Sequence, residues 1–235
     1  MRISVIIFCY DEKETLRGVT ESAIQFLKVF ATDFEVIIVN DGSTDGSAEI
    51  ANLLSSQFKA FVRVIHHPRN LGIGMALRSG YENARLEYVC GIPADGQFDI
   101  AQLGTIKPFG DNTYYSFYRR ETNYSFYREQ LSRLNRLYNQ HFLGIYIRDV
   151  NWVKVYRLTQ LQSVKPVLTS SIIESEICAK LYKCGALPVE IPSNYLNRVY
   201  GKSKGGGIRT VYRALAETWQ LFRVVDKFKP LEVIG

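Results

Sequence analysis

The chain has 235 residues, 46% hydrophobic and 22% charged, with 29 Lys+Arg against 23 Asp+Glu for a formal net charge of +6. That composition excludes a disordered chain and fits one α/β domain with a modest appendage, large enough to bury a core without disulfide or metal staples. The positive excess suits anionic partners such as nucleotides, phosphorylated lipids or a membrane leaflet. It comes with no nucleic-acid recognition module, so nucleic acid is not expected as a partner.

Cys9, Cys90, Cys178 and Cys184 show no ligand spacing; free structural thiols in a reducing cytoplasm are expected. Met1–Tyr10 runs straight into a strand-like segment, with neither the charged lead nor the cleavage site of a signal peptide. No apolar run approaches the roughly 18 to 20 residues that a spanning helix needs. The expectation is a cytoplasmic protein, soluble or peripheral on the cytoplasmic face of a membrane.

In chain order, Ser4–Tyr10 reads as a buried strand and Glu12–Ala31 as a helix with one apolar stripe. Glu35–Asn40 is a second strand, ending in the turn Asp41–Asp45, and a helix then reaches about Phe58. Phe61–His66 is a third strand, Asn70–Ala84 a helix entered through a Gly-rich turn, and Tyr88–Ile92 a fourth strand. Strands that are nearly all apolar, alternating with helices, imply a parallel sheet covered on both faces. Ligands of such sheets gather at the carboxyl ends of the strands, so Tyr10–Glu12, Asp41–Asp45 and Pro93–Asp99 should share one rim. Further on, Thr113–Tyr118, Asn151–Tyr156 and Leu187–Ile191 read as strands. Ser125–Phe142 and Glu174–Lys183 read as helices, and a polar loop, Asn197–Gly207, precedes a last helix from about Ile208 to Phe228.

Several loops carry chemistry, each with a plainer reading beside it. In NDGSTD (Asn40–Asp45), Asp41 can accept hydrogen bonds from a nucleotide base, while Asp45 can simply cap the next helix. Gly72, Gly74 and Gly80 allow close approach of backbone to a phosphate or to another segment; the spacing is not a dinucleotide fingerprint. Asp95, Gln97 and Asp99 follow a buried strand and suit a divalent ion that keeps waters and binds diphosphate oxygens, or are merely a solvated acidic loop. Arg119, Arg120, Arg128 and Arg133 stand among tyrosines, as a phosphate-binding patch or the wet face of a helix. RVYGKSK (Arg198–Lys204) is a basic loop that could order over a phosphate or stay solvated. His66, His67 and His141 show no metal spacing.

The succession SVIIFCYDE, EVIIVNDGSTD, NLGIGMALRSG, ADGQFD and RVYGKSK, spanning about Ser4 to Lys204, resembles the family-two GT-A glycosyltransferases. The similarity is to the branch of dolichyl-phosphate mannosyltransferase and the bacterial polyprenyl-phosphate sugar transferases. It implies an α/β GT-A fold, Rossmann-like, with a mostly parallel central sheet and helices on both faces. Residues 1–207 would be the catalytic domain, and 208–235 an amphipathic helix packed on the domain or at a membrane surface.

By that resemblance Tyr10, Glu12 and Asp41 line the nucleotide pocket, and Asp95 and Gln97 sit by the diphosphate and its Mg²⁺ or Mn²⁺. Arg119 and Arg133 match basic positions facing the acceptor phosphate, and Glu176 matches an acid on a helix beneath the active site. Arg198, Ser203 and Lys204 match a loop that folds over donor or acceptor. Three positions depart from the family pattern: Phe8 replaces a proline, Asp11 an asparagine, and Pro93 the first aspartate of the metal motif.

The implied reaction is inverting transfer from a UDP- or GDP-sugar to a polyprenyl phosphate, which needs no general base. A saccharide acceptor would need one, with Glu176 or Glu174 the first residues to consider. A catalytically silent nucleotide-sugar binder is the remaining alternative, suggested by Pro93. In the last helix Arg209, Arg213, Arg223, Lys227 and Lys229 surround Leu215, Trp219, Leu221 and Phe222, a pattern that suits the headgroup level of a membrane.

Overall fold

In the computed structural model the described residues are 1–108, 110, 112–120, 126–198, 200 and 208–230. Alternating strands and helices build the first half: β1 (Arg2–Cys9), α1 (Lys13–Phe30), β2 (Asp33–Asn40), α2 (Ser47–Gln57), β3 (Val62–His66), α3 (Ile73–Asn83) and β4 (Tyr88–Pro93). β1 and β2 are runs of Val and Ile because helices cover both of their faces. Ile3, Val5 and Ile7 pack with Leu16, Ile24 and Leu27 of α1, while Ile6 packs with Leu77 and Tyr81 of α3 on the other face. Each such buried side chain contributes roughly 1.5–3 kcal/mol.

A strand apolar on both sides has little to define its register. Here the fully buried Ser4 supplies a pin: its hydroxyl donates to Glu35 Oε1 at 2.7 Å and accepts from the Arg85 and Leu86 amides at 3.3 and 3.1 Å.

The second half adds β5 (Thr113–Arg119), α4 (Phe126–Leu143), β6 (Lys154–Arg157), α5 (Leu158–Val164), α6 (Ile173–Lys183), β7 (Leu187–Ser193) and α7 (Ile208–Lys227). The sheet has seven strands in the order β3-β2-β1-β4-β6-β5-β7. The mostly parallel sheet expected from sequence is found, with one reversed strand: β6 runs antiparallel to both β4 and β5, while β7 is parallel to β5. A four-residue strand carries no side-chain pattern that encodes its direction. Two elements also went unforeseen, a 3₁₀ turn at Ile100–Thr105 and α5; both are too short to show helical periodicity.

α3, α5, α6 and α7 cover one face of the sheet, and α1 and α2 the other. Gly74 and Gly80 serve packing: a Cβ on Gly74 would lie 2.1 Å from the Ser170 carbonyl oxygen, and one on Gly80 would lie 2.4 Å from Ile6. α7 buries Leu221 and Val225 in the core, and Lys183 Nζ donates to the Val225 carbonyl at 2.5 Å. Its Trp219 is 68% exposed. All four cysteines are free thiols. Among the described residues, no helix is long and apolar enough to cross a membrane.

Strand direction decides what meets at the rim. β5 lies antiparallel to β6, which lies antiparallel to β4, so β5 runs with β1, β2 and β4. The carboxyl ends of β1, β2, β4, β5 and β7 and the amino end of β6 therefore point the same way. This brings Arg119, the segment before Lys154 and the segment after Ser193 to the edge that holds the first-half loops.

Candidate active site

The loop leaving β1 is held by the turn leaving β2. The Asp11 amide donates to Ser43 Oγ at 2.9 Å, and the Thr44 amide donates back to Asp11 Oδ1 at 2.7 Å. The Glu12 amide donates to Ser47 Oγ, and the Lys13 amide to Asp45 Oδ2. Asp11 has φ +50°, left-handed backbone that asparagine and aspartate both tolerate, so the departure at this position keeps the turn. Burial pushes the Asp45 pKa up, but hydrogen bonds from the Ser47 hydroxyl and from the Lys13 and Ser47 amides outweigh it and lower the value. Tyr10 is half-buried at the strand exit.

Asp41 is almost wholly buried and anchors the start of α3. Its Oδ1 accepts from the Leu71 amide at 2.9 Å and from His67 Nδ1 at 2.7 Å, and its Oδ2 accepts from the Gly72 amide at 2.8 Å. His67 is fixed from its other side by Ser79 Oγ at 2.9 Å. Gly42, at φ +68°, lets this turn lie against the Arg69–Asn70 backbone, where a Cβ would come within 2.3 Å. Three of the roughly four lone-pair positions of the Asp41 carboxylate are thus occupied by the protein itself.

At the end of β4, Gly96 turns the chain at φ +75°, and the Gln97 amide donates to Asp95 Oδ1 at 3.0 Å. The other carboxylate oxygen, Oδ2, lies 2.8 Å from Nη2 of Arg198, and the same nitrogen is 2.9 Å from Glu12 Oε1. Two carboxylates from distant loops therefore share one guanidinium. Burial alone would lower the pKa of Arg198; the Asp95 and Glu12 charges outweigh it and raise the value. Gln97 Nε2 donates to Tyr195 Oη at 2.5 Å, and Phe98 and Tyr195 form an antiparallel bridge that clips the segment after β7 to this turn.

Tyr195 links that cluster to Arg119. The Arg119 guanidinium lies 4.7 Å from the Trp152 ring centroid and 5.6 Å from that of Tyr195. It is bound bidentately to Asp149, with Nε–Oδ2 at 2.6 Å and Nη2–Oδ1 at 2.9 Å. Beside it opens a cavity of about 700 Å³ whose lining includes Arg119, Arg120, Arg133, Arg136, Arg148 and Asp149. Five arginines and one aspartate in the lining give the cavity a positive balance, which suits an anion.

Two expected residues sit elsewhere in the network. Glu176, expected beneath the active site, is fully buried on α6. It accepts from the Val167 and Leu168 amides and pairs with Lys180 Nζ at 2.6 Å, so it fastens the loop before α6. Glu174 accepts from Tyr81 Oη at 2.7 Å and Tyr156 Oη at 2.5 Å, and lies 3.6 Å from the buried Lys154. Burial, reinforced by the Glu174 charge, pushes the Tyr81 hydroxyl well above its ordinary pKa. Ser203 and Lys204 lie outside the described residues. Asp149, Trp152 and Tyr195 had escaped sequence reasoning; none belongs to a motif, and each matters through a partner distant in sequence.

The donor set suits a divalent cation of modest demand. Asp95 supplies one carboxylate, and with Nε2 of Gln97 donated to Tyr195, its carbonyl oxygen is left as a neutral oxygen donor nearby. Mg²⁺ is commonly held by one or two carboxylates, with waters and substrate phosphates completing the shell. That Glu12 and Asp95 close on a single guanidinium shows the pair arranged around one positive charge. Among the described residues, no group of three or more His, Cys, Asp and Glu forms a dedicated metal cage.

The fold, with its acidic and basic groups gathered at the carboxyl edge of a mixed sheet, is that of the GT-A glycosyltransferases. Residues 4–155 match the glycosyl transferase family 2, and the chain belongs to that family. It is 24% identical over 221 residues to an undecaprenyl-phosphate 4-deoxy-4-formamido-L-arabinose transferase of Edwardsiella ictaluri, covering 89% of this chain and 64% of the relative. A dolichyl-phosphate beta-glucosyltransferase of Trichomonas vaginalis is 28% identical over 110 residues, 45% of this chain and 33% of the relative. The chain thus spans between about a third and two thirds of the length of these relatives. Among solved structures, glucosyl-3-phosphoglycerate synthase from Mycobacterium tuberculosis, in complex with Mn²⁺, UDP and glucosyl-3-phosphoglycerate, superposes with a TM-score of 0.67 at 17% identity. The match covers 95% of this chain and 78% of that one.

Proposed function

We propose that this chain transfers a sugar from a nucleotide diphosphate donor to a polyprenyl phosphate, with inversion, at the Glu12–Asp95–Arg198 cluster. The observation that carries the reading is how the carboxylates are used. Glu174 and Glu176, the candidate bases for a hydroxyl acceptor, are both buried and committed to tyrosines, lysines and backbone amides. Meanwhile an arginine-lined cavity is linked to the Gln97 turn through Arg119 and Tyr195. A phosphate monoester suits that arrangement: its second pKa is about 6, so it reaches neutral pH mostly as a dianion and needs no base. The polyprenyl phosphates in the names of the two family relatives support the same acceptor class.

In the proposed reaction an acceptor phosphate oxygen attacks the anomeric carbon from the cavity side while the bond to the donor diphosphate breaks opposite, inverting the centre. No proton need move. Arg119 is held by Asp149 and two rings to present a fixed cationic edge, and Arg133 is the second acceptor-side cation. Arg198 leaves its carboxylates to meet charge building on the departing diphosphate, with Ser203 and Lys204 assigned to the same loop. Tyr10, Glu12 and Asp41 form the nucleotide side. Bound at Asp95 and Gln97, Mg²⁺ or Mn²⁺ would supply Lewis-acid neutralisation of the diphosphate.

A membrane surface is the proposed workplace of a catalytic body at 1–207 carrying the appended segment 208–235, which begins with α7. Leu134 and Leu137 on α4, beside the cavity-lining Arg133 and Arg136, are at least half exposed, and so is Trp219 on α7. The test is calorimetric titration with UDP and GDP, each with and without Mn²⁺, followed by transfer assays on polyprenyl phosphate and on a free saccharide. Binding of one nucleotide and transfer to the phosphate are expected. Transfer to the saccharide alone would overturn the acceptor assignment.

A further inference from the structure

We propose that Lys154 is a positioning residue for the acceptor side of the reaction: its buried ammonium closes the turn 149–153 so that Asp149 and Trp152 both hold Arg119. The inference rests on the acceptor placement proposed above and names what keeps that placement rigid.

Lys154 opens β6, and its side chain is wholly buried. The next residue, Val155, packs in the core beneath α1, whereas Lys154 and Tyr156 both reach Glu174 on α6. An apolar side chain would sit there with no charge to desolvate. An ammonium survives in such a place only when it is paired and hydrogen-bonded.

Where its bonds go shows what it does. An ammonium has three donors and no acceptor. Nζ donates to the Val150 carbonyl and, at 3.1 Å, to the Trp152 carbonyl, while Glu174 Oε2 meets its charge at 3.6 Å. Glu174 is fixed in turn by the Tyr81 and Tyr156 hydroxyls at 2.7 and 2.5 Å. A lysine anchored in the core thus gathers two carbonyls of the turn just before it.

That turn carries both kinds of contact made to Arg119. Asp149 binds the guanidinium bidentately, and the Trp152 ring lies 4.7 Å from it. The Trp152 indole N–H donates to Ser193 Oγ at 3.1 Å, and the Val153 carbonyl accepts from the Phe117 amide at 2.9 Å. Those bonds tie the turn to β7 and β5, and Lys154 ties it to the core. Without Lys154 two carbonyls lose their donor. Turning them towards water rotates the backbone from which Asp149 and Trp152 project.

The experiment compares Lys154→Met/Glu174→Gln with Glu174→Gln, both in the full chain. Glu174→Gln removes the counter-ion but keeps the turn, because an amine with or without its extra proton still has two N–H donors for two carbonyls. The double variant removes the ion pair as a whole, which cores often tolerate, and with it the bonds to the turn. Its KM for polyprenyl phosphate should rise about tenfold, the scale of Arg119 losing one charged partner, with nucleotide Kd unchanged. Adding Asp149→Asn to it should bring little further rise, since both changes act through Arg119. Glu174→Gln should keep the acceptor KM of the parent chain even where its melting temperature falls.

An equal rise in Glu174→Gln, a KM that follows melting temperature across the variants, or full additivity with Asp149→Asn overturns the proposal. The chain has two tryptophans, so in a Trp219→Phe background the fluorescence of Trp152 reads the turn without any reaction. Acrylamide quenching should increase in the double variant and not in Glu174→Gln; quenching unmoved in both also overturns the proposal. Increased quenching in a chain that transfers no sugar sinks the transferase reading and leaves Lys154 holding the turn. Transfer with an acceptor KM unmoved in the double variant sinks this inference alone.

Discussion

The two halves of the rim are held by different kinds of bond. Where β1, β2 and β4 end, carboxylates hold backbone: Asp11 takes the Thr44 amide, Asp41 those of Leu71 and Gly72, and Asp45 those of Lys13 and Ser47. Where β5 and β7 end and β6 begins, side chains hold side chains: Arg119 takes Asp149, Trp152 and Tyr195, and the cavity wall is arginine. Amides locked by carboxylates set loop shape to a fraction of an ångström, as recognition of a rigid nucleotide requires. Guanidiniums set a charge field, which suits the proposed acceptor, recognised chiefly by its phosphate. The Glu12–Asp95–Arg198 cluster is where the halves meet.

Breaking that junction should have the largest effect. Asp95→Ala removes one of two carboxylates on Arg198 together with the proposed metal ligand, and transfer should fall by about a thousandfold or more, the scale of lost electrostatic stabilisation. Steady-state rates on a variant with unchanged circular dichroism decide it, and a loss under tenfold would place the chemistry elsewhere.

On the backbone-held side, Asp41→Ala strands two amides and His67. Stability should drop by about 3 kcal/mol with a matching loss of nucleotide affinity, as for other charged hydrogen bonds left unmade. Denaturant melts and UDP or GDP titration would both register it.

The side-chain-held side should respond differently. Asp149→Asn loosens Arg119 without touching the nucleotide loops, so the acceptor KM should rise about tenfold while nucleotide Kd stays put. If both constants moved together, the contrast between the halves would be wrong.

The smallest effect is one of pH. Burial pushes the Cys9 thiol up from 9.0 to about 11. A raised folded-state pKa means stability that is whole below pH 9 and drains away as pH climbs towards 11. Cys9 alone should cost about 0.8 kcal/mol at pH 9.5 by that linkage. Thermal melts of the chain and of Cys9→Ala at pH 8 and 9.5 measure the difference, and equal pH slopes would remove Cys9 from the account.

Much of the first half was legible because its information is local. Val and Ile runs name buried strands, small polar residues name the turns, and strand alternation with helices names the rim before any contact is known. Glu176 shows where such reading stops. It lies on the expected helix, where Lys180 one turn away and the amides of Val167 and Leu168 hold its carboxylate, partners that no local pattern names. Asp149, Trp152 and Tyr195 gave no signal, since each acts only through partners 30 or more residues away.

By itself the sequence determined the βα alternation, the loops that share an edge, and the family to which the order of motifs points. These follow from periodicity and turn chemistry, which neighbouring residues settle among themselves. Tertiary structure alone decided that Arg198 closes on Glu12 across 186 positions of chain and on Asp95 across 103. It also decided that β6 reverses and that the arginines of β5 and α4 surround one cavity. Ion pairs and cavities depend on distance in space, and the packing of the whole sheet sets that distance.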